Sequence, residues 1–183
     1  MLMQSSTPLS HKQNIKGNIR FALITVSTSR FNKYGPVRSP QEAEDLSGDL
    51  MYNLVKESGH EVMSYSLVPD DEAVIKDLIS RMVHEDVNLI VTSGGTGLSP
   101  DDVTIEAVSP LFHKEIQGFG EYFRYLSIEQ IGSSVVLTRA CAGTVNNKVI
   151  FCLPGSPNAV KLAFSEIILQ EAGHILKHLG RTV

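Results

Sequence analysis

The stretch from Val87 to Ala107, VNLIVTSGGTGLSPDDVTIEA, limits what this chain can fold into more than any other. Val87-Asn88-Leu89-Ile90-Val91 is an apolar run without polar alternation, which predicts a strand covered on both faces. Ser93-Gly94-Gly95-Thr96-Gly97 then breaks it with a flexible turn. Ser99 at an N-cap, Pro100 at the first helical position, and Asp101 and Asp102 in the first turn predict a helix directly afterwards. A buried strand that passes through a glycine turn into a helix is half of a crossover unit, and crossovers build parallel sheets.

The rest of the chain repeats the alternation. Ile19 to Ser27 is a second continuous apolar run of strand length. Phe31 to Gln41 reads as a long loop. A helix can start at Ser39-Pro40-Gln41-Glu42 or a turn later at Asp45, and runs to Ser58 with Leu50, Leu54 and Val55 inward and Gly59 as its stop. His60 to Val68 predicts a strand, and Pro69-Asp70-Asp71-Glu72 opens a helix carrying Val74, Ile75, Leu78, Ile79 and Met82. Leu111 to Ile131 predicts a helix with an irregular entrance, with Ile116, Phe119, Phe123, Leu126 and Ile131 on one side. Ser134–Cys141 and Lys148–Leu153 predict strands joined through Gly143 to Asn147, a hairpin link. Asn158 to His178 predicts the last helix, weakened by Gly173. The expected fold is a three-layer α/β/α sandwich with a largely parallel sheet and one antiparallel strand, over a single domain at 18–183. Residues 1–17 are polar and aperiodic, as in a mobile tail.

Charge and composition remove several functions. A formal net charge of -4 over 183 residues, without a basic run, lacks the footprint of a nucleic-acid binder. No segment reaches membrane-span length, and the amino terminus is too polar for a signal peptide, so the cytoplasm is the expected location. Cys141 and Cys152 share no metal-ligand or redox spacing and read as small buried thiols in a reducing compartment. His174 and His178 stand four apart on the last helix. Without the glutamate of a His-Glu-x-x-His site they read as a solvated face.

Ligands of parallel sheets bind beyond the carboxyl ends of the strands. That rule gathers Ser27 to Arg30, Pro69-Asp70-Asp71, Ser93 to Asp102 and Pro154-Gly155-Ser156-Pro157. The glycine turn is neither a Walker loop nor a dinucleotide fingerprint. Its geometry leaves both a phosphate cradle and an ordinary tight connection open. Capping likewise offers a structural reading for Asp70 and Asp102.

Several motifs in one order resemble a known family. Thr92-Ser93-Gly94-Gly95-Thr96-Gly97-Leu98 with Asp102-Val103-Thr104, then Gly118-Phe119-Gly120-Glu121 with Phe123-Arg124, then Leu153 to Val160, are similar to the molybdopterin adenylyltransferase family of molybdenum-cofactor biosynthesis. The resemblance implies that the protein binds molybdopterin and Mg-ATP, adenylylates the pterin's terminal phosphate and releases pyrophosphate. It implies a homotrimer or homohexamer. It also implies that Asp70 and Asp102 are the functional carboxylates and the candidate Mg²⁺ ligands, that Gly94, Gly95, Thr96 and Gly97 receive phosphate, and that Ser127 and either Thr25 or Ser27 contact pterin or nucleotide. Attack of one phosphate on another needs metal, carboxylates and amides to offset charge. Where relatives often carry arginine before the second acid, this chain has Asp101, which leaves Arg30, Arg124, Arg139 and Lys161 as candidate replacements. A non-catalytic molybdopterin carrier of the same pathway is the alternative.

Overall fold

The structure, a computed structural model, describes residues 17–180. The expected tail therefore lies outside the described residues except for Gly17. Six strands form one sheet: β1 (Arg20–Val26), β2 (Glu61–Val68), β3 (Leu89–Ser93), β4 (Lys114–Glu115), β5 (Cys141–Val145) and β6 (Lys148–Leu153), in the spatial order β2-β1-β3-β6-β5-β4. β2, β1, β3 and β6 run parallel, while β5 is antiparallel to both of its neighbours. Helices cover the two faces: α1 (Thr28–Tyr34), α2 (Leu46–Glu57), α3 (Glu72–Met82), α4 (Thr104–Val108), α5 (Gln117–Ile131), α6 (Pro157–Ala163) and α7 (Leu169–His178). A π-helical turn, Phe164–Ile168, joins the last two.

The period-two geometry of a strand sorts its side chains between two cores. Phe21, Leu23, Leu89, Val91, Val149 and Phe151 meet Met51 and Val55 of α2, Phe123 of α5, and Val160 and Phe164. Ala22, Ile24, Ile90, Ile150 and Cys152 meet Ile75, Ile79 and Met82 of α3, with Ala107 and Val108 of α4. Both parities are apolar in the central strands, which is why their sequences show no alternation.

Local departures from expectation have local causes. Thr28–Tyr34 forms a short helix where a loop is expected after Thr28-Ser29-Arg30, because Ser27 caps it and Gly35 ends it at φ 69°. The later of the two starts of α2 is the helical one; Pro40–Ala43 is a single 3₁₀ turn. The fully buried residues of α2 are Ser47, Gly48, Met51 and Val55, and Leu50 and Leu54, partly buried, pack against the same core from its margin. Ser134–Cys141 is not a strand: Gly132–Leu137 winds as 3₁₀ turns, and pairing starts only at Cys141. The hairpin closes on Asn146-Asn147 alone, at φ 47° and 62°, the left-handed pair a two-residue turn requires. Ile131 is exposed. Cys141 and Cys152 face each other across that hairpin as free thiols. Hydrogen bonding to Cys152 holds the Cys141 thiol below its ordinary range, while Cys152, bonded to Cys141 and fully buried, is pushed well above it. Among the described residues, no helix is long and apolar enough to cross a membrane.

Candidate functional site

Parallel pairing brings four strand ends to one edge of the sheet. Ser27 N–H donates to Val68 O at 2.9 Å, and Gly94 N–H to Leu153 O at 3.0 Å, so the backbones stay paired beyond the last ladder residue. The crowding decides the residue type. A Cβ at Gly94 would lie 2.2 Å from Val26 O, and one at Gly155 would lie 3.2 Å from Gly94 Cα. Gly94 and Gly155 are thus explained by packing alone. Gly95, at φ 62°, is different, because its missing Cβ would lie 2.4 Å from Thr104 Oγ1 and 2.8 Å from Asp70 Oδ1.

No helix starts at Ser99. Asp102 Oδ2 accepts from Ser99 N at 3.0 Å while Asp102 N–H donates to Ser99 O at 2.9 Å, closing a turn instead of a first helical coil. The helix begins at Thr104 and lasts five residues. Thr104 explains the difference. Fully buried, it donates its hydroxyl to Gly94 O at 2.9 Å and its N–H to Gly95 O at 2.9 Å, pulling the chain back across the turn before it can coil. In sequence Thr104 is only the last residue of the Asp102-Val103-Thr104 motif, and nothing local signals these two bonds. The anion-binding geometry of a helix pole is therefore absent. Within the described residues no bond takes the N–H groups of Gly95, Thr96 and Gly97, which remain as donors on the turn itself.

Both predicted carboxylates stand against that turn. Asp70 does not cap α3; Asp71 does, accepting from Val74 N at 3.0 Å. Asp70 Oδ2 instead accepts from the N–H and the hydroxyl of Thr28, each at 2.8 Å, and Asp70 N–H donates to the same hydroxyl at 2.8 Å. This two-way clasp between the ends of β1 and β2 leaves Oδ1 at Gly95. At the other end, a Cβ on Gly97 would lie 2.6 Å from Asp102 Oδ2. Asp70 and Asp102 so flank one four-residue turn.

The remaining predicted residues divide. Ser93 is buried and donates to Pro154 O at 3.4 Å, tying β3 to β6 beneath the turn, and Thr96 is buried within it. Ser27 Oγ accepts from Arg30 N at 3.4 Å and Ser156 Oγ from Ala159 N at 3.2 Å, so both cap helices, with Pro157 opening α6. Ser127 is buried in α5 and donates to Phe123 O at 2.8 Å, back along its own helix.

Below the strand ends is a polar group that sequence reading missed. Asp45, 4% exposed, accepts from Thr25 Oγ1 at 2.5 Å and from Tyr65 Oη at 2.7 Å. Burial, with the carboxylate beside it, raises the Tyr65 phenol far above its ordinary range, so it stays a donor. Two residues on, Ser47 donates to Gly155 O at 2.8 Å. Asp45 was legible only as a possible N-cap, a role its side chain does not fill. Thr25, carried as a ligand contact, is engaged here.

Of the four candidate cations, Arg139 reaches the turn: its guanidinium donates to Gly97 O at 3.1 Å and pairs with Glu106. Arg30 is held by the carbonyls of Ala43 and Glu44 at 2.9 and 2.7 Å. Arg124 and Lys161 line two other clefts, of about 360 and 430 Å³, beside α5 and α6.

Comparison with known proteins identifies the family. Residues 22–174 match the family described as a probable molybdopterin binding domain. The molybdenum cofactor biosynthesis protein B of Bacillus anthracis is 46% identical over 173 residues, covering 93% of this chain and 96% of that protein. Its counterpart in Staphylococcus aureus strain Mu50 is 42% identical over 178 residues, 94% of this chain and 100% of the relative. Among solved structures, the tungsten cofactor synthesizing protein MoaB from Pyrococcus furiosus superposes with a TM-score of 0.77 at 39% identity, over 90% of this chain and 98% of that one. A crystal structure of molybdenum cofactor biosynthesis protein B gives 0.80 at 44%, with the same coverage. On the match over residues 22–174 and on relatives of 42–46% identity across nearly the whole chain, the protein belongs to the molybdenum-cofactor biosynthesis family with the probable molybdopterin binding domain.

Proposed function

We propose that the protein is a molybdopterin adenylyltransferase that uses Mg-ATP. A terminal phosphate oxygen of molybdopterin attacks the α-phosphorus of ATP, the bond to the bridging oxygen breaks, and pyrophosphate leaves. The observation that carries this reading is the placement of Asp70 and Asp102 at the two ends of one glycine turn whose amides are free to donate.

The residues present fit Mg²⁺. Each carboxylate commits one oxygen to the protein, Asp70 to Thr28 and Asp102 to Ser99, and keeps the other. Among the described residues no three His, Cys, Asp or Glu groups form a metal cage. Magnesium is commonly held in this way, by one or two carboxylates with the rest of its sphere from phosphate and water. Once bound, it offsets the charge that builds where two phosphates meet. Gly95, Thr96 and Gly97 donate to phosphate oxygens; the Thr28 clasp and the Arg139 contact keep the carboxylates and turn from rearranging as substrate arrives.

One observation favours a non-catalytic pterin carrier: Asp101, exposed beside Asp102, adds negative charge where nucleotide phosphate would sit. The experiment is incubation with molybdopterin, Mg²⁺ and ATP, reading pyrophosphate. Release above a protein-free blank supports the enzyme; none, with pterin still bound, leaves the carrier.

We further infer assembly into a homotrimer or homohexamer, working in the cytoplasm. Tyr122, Tyr125 and Ile128 of α5, with Val136 and Leu137 after it, are large apolar residues left exposed, Val136 by 80%, and a second copy of the chain would cover them. Light scattering that returns the monomer mass would overturn this.

A further inference from the structure

α7 buries Ala172 and Leu176 and turns His174 and His178 to solvent, 63% of the His174 side chain being exposed. Four residues apart on a helix, the two side chains lie on one face. Here they converge: their Nε2 atoms are 3.0 Å apart, with ring centroids 4.7 Å apart and ring planes at 52°. On the far side, Nδ1 of His174 lies 3.3 Å from Glu171 Oε2.

We propose that His174 and His178 form a two-point binding site for a divalent transition-metal ion of the zinc and copper class, oriented by Glu171. Three features of the geometry argue for it. Imidazole nitrogens suit these metals, and two bonds of about 2.0–2.1 Å at the tetrahedral angle set the ligand nitrogens roughly 3.3–3.4 Å apart. The observed spacing differs by a few tenths of an ångström. In the tautomer of His174 that donates Nδ1–H to Glu171, Nε2 keeps its lone pair, and a metal would bind there in place of the proton that His178 shares across the 3.0 Å contact, His178 shifting its proton to Nδ1; a carboxylate behind a ligating histidine is the usual way its tautomer and ring are fixed. The helix, anchored by its buried face, supplies both ligands in one register, so little side-chain ordering is needed.

No third protein ligand joins the pair among the described residues, so water completes the sphere and the site is exposed. No glutamate stands next to either histidine as it would in a hydrolytic zinc helix, since the residues between them are Ile175, Leu176 and Lys177. The site is a binding site rather than a second catalytic centre, and it shares no residue with the Asp70 and Asp102 pair.

The test is titration of the untagged full-length chain with zinc sulfate by calorimetry, with copper sulfate followed by electron paramagnetic resonance in parallel. The expected result is saturable binding of one ion per chain, two nitrogen couplings in the copper spectrum, and a melting temperature raised by zinc. His174→Ala and His178→Ala should each lose both the binding and the thermal shift. Glu171→Gln should weaken binding by about tenfold. Binding that survives His178→Ala, half an ion per chain, or no saturable heat would each overturn the proposal. None of these readouts depends on adenylyl transfer.

Discussion

Replacing Asp45 by alanine tests how the strand ends are held. The carboxylate is 4% exposed and receives two hydroxyl donors, Thr25 at 2.5 Å and Tyr65 at 2.7 Å. Alanine removes the acceptor and leaves both hydroxyls buried. Each buried hydroxyl left without its acceptor costs about 1–3 kcal/mol, so the two together cost about 2–6 kcal/mol. The void left by the lost carboxylate adds to this, because a Cβ at Gly48 would lie only 2.2 Å from Asp45 Oδ2, a measure of how tightly the group is packed. We therefore expect Asp45→Ala to cost about 2–6 kcal/mol, a drop in melting temperature of roughly 4–24 °C for a domain of this size. Tyr65→Phe and Thr25→Val each remove one donor and should cost about 1–3 kcal/mol. Asp45→Asn keeps an acceptor oxygen and should fall below the alanine variant in cost. The assay is urea unfolding followed by circular dichroism, with m values compared to confirm that the same surface is exposed. If Asp45→Ala costs less than about 1 kcal/mol, the level of an exposed position, the carboxylate does not organise these strand ends and the reasoning fails.

Three further outcomes follow from the same geometry. Asp102→Asn retains an oxygen for Ser99 N, so stability should stay within about 1 kcal/mol while pyrophosphate release falls about 10²-fold or more; full activity in this variant would show that the charge is unnecessary. Gly95→Ala must tolerate φ 62° and displace Thr104 Oγ1 or Asp70, whereas Gly59→Ala, at φ 77° in the turn that ends α2, meets nothing within 4 Å; the first should be the more destabilising by at least about 1 kcal/mol, and equal melting temperatures would contradict the crowding. Burial holds the His60 imidazole below its ordinary 6.5, and its Nδ1 accepts from Ile19 N at 3.5 Å. The unfolded chain thus takes up the proton first, so this contribution is present above about pH 6.5 and is lost as pH falls below it. His60→Phe should flatten the dependence of melting temperature on pH between about 7 and 5, and parallel curves for the two proteins would refute it.

Much of the fold is legible because the central strands state their burial directly. Ile19 to Ser27 and Val87 to Val91 are apolar at both parities, and both lie in the sheet interior. The site was legible in part for the same reason: once the strands are parallel, their carboxyl ends must share an edge, which places Asp70 near the Ser93 to Asp102 turn without coordinates. What was not legible depended on contacts made at a distance. Ser99-Pro100-Asp101-Asp102 carries every local signal of a helix start, yet the two bonds from Thr104 to Gly94 and Gly95 outweigh them. Asp45 looked like a cap because local pattern cannot reveal Thr25 and Tyr65 on two other elements. Arg139 could not be chosen from four cations, since its reach to Gly97 depends on how the chain returns through an antiparallel strand.

That return path limits how the chain can vary. Arg139 bridges Gly97 and Glu106 from the last residues before β5, across 42 positions of sequence. The connection from Gly132 to Ala140 is therefore a measured tether: a residue inserted or deleted there would move the guanidinium off the glycine turn, although neither the turn nor its acids had changed. A segment that looks like a tolerant surface link is, by its length, part of the equipment of the site.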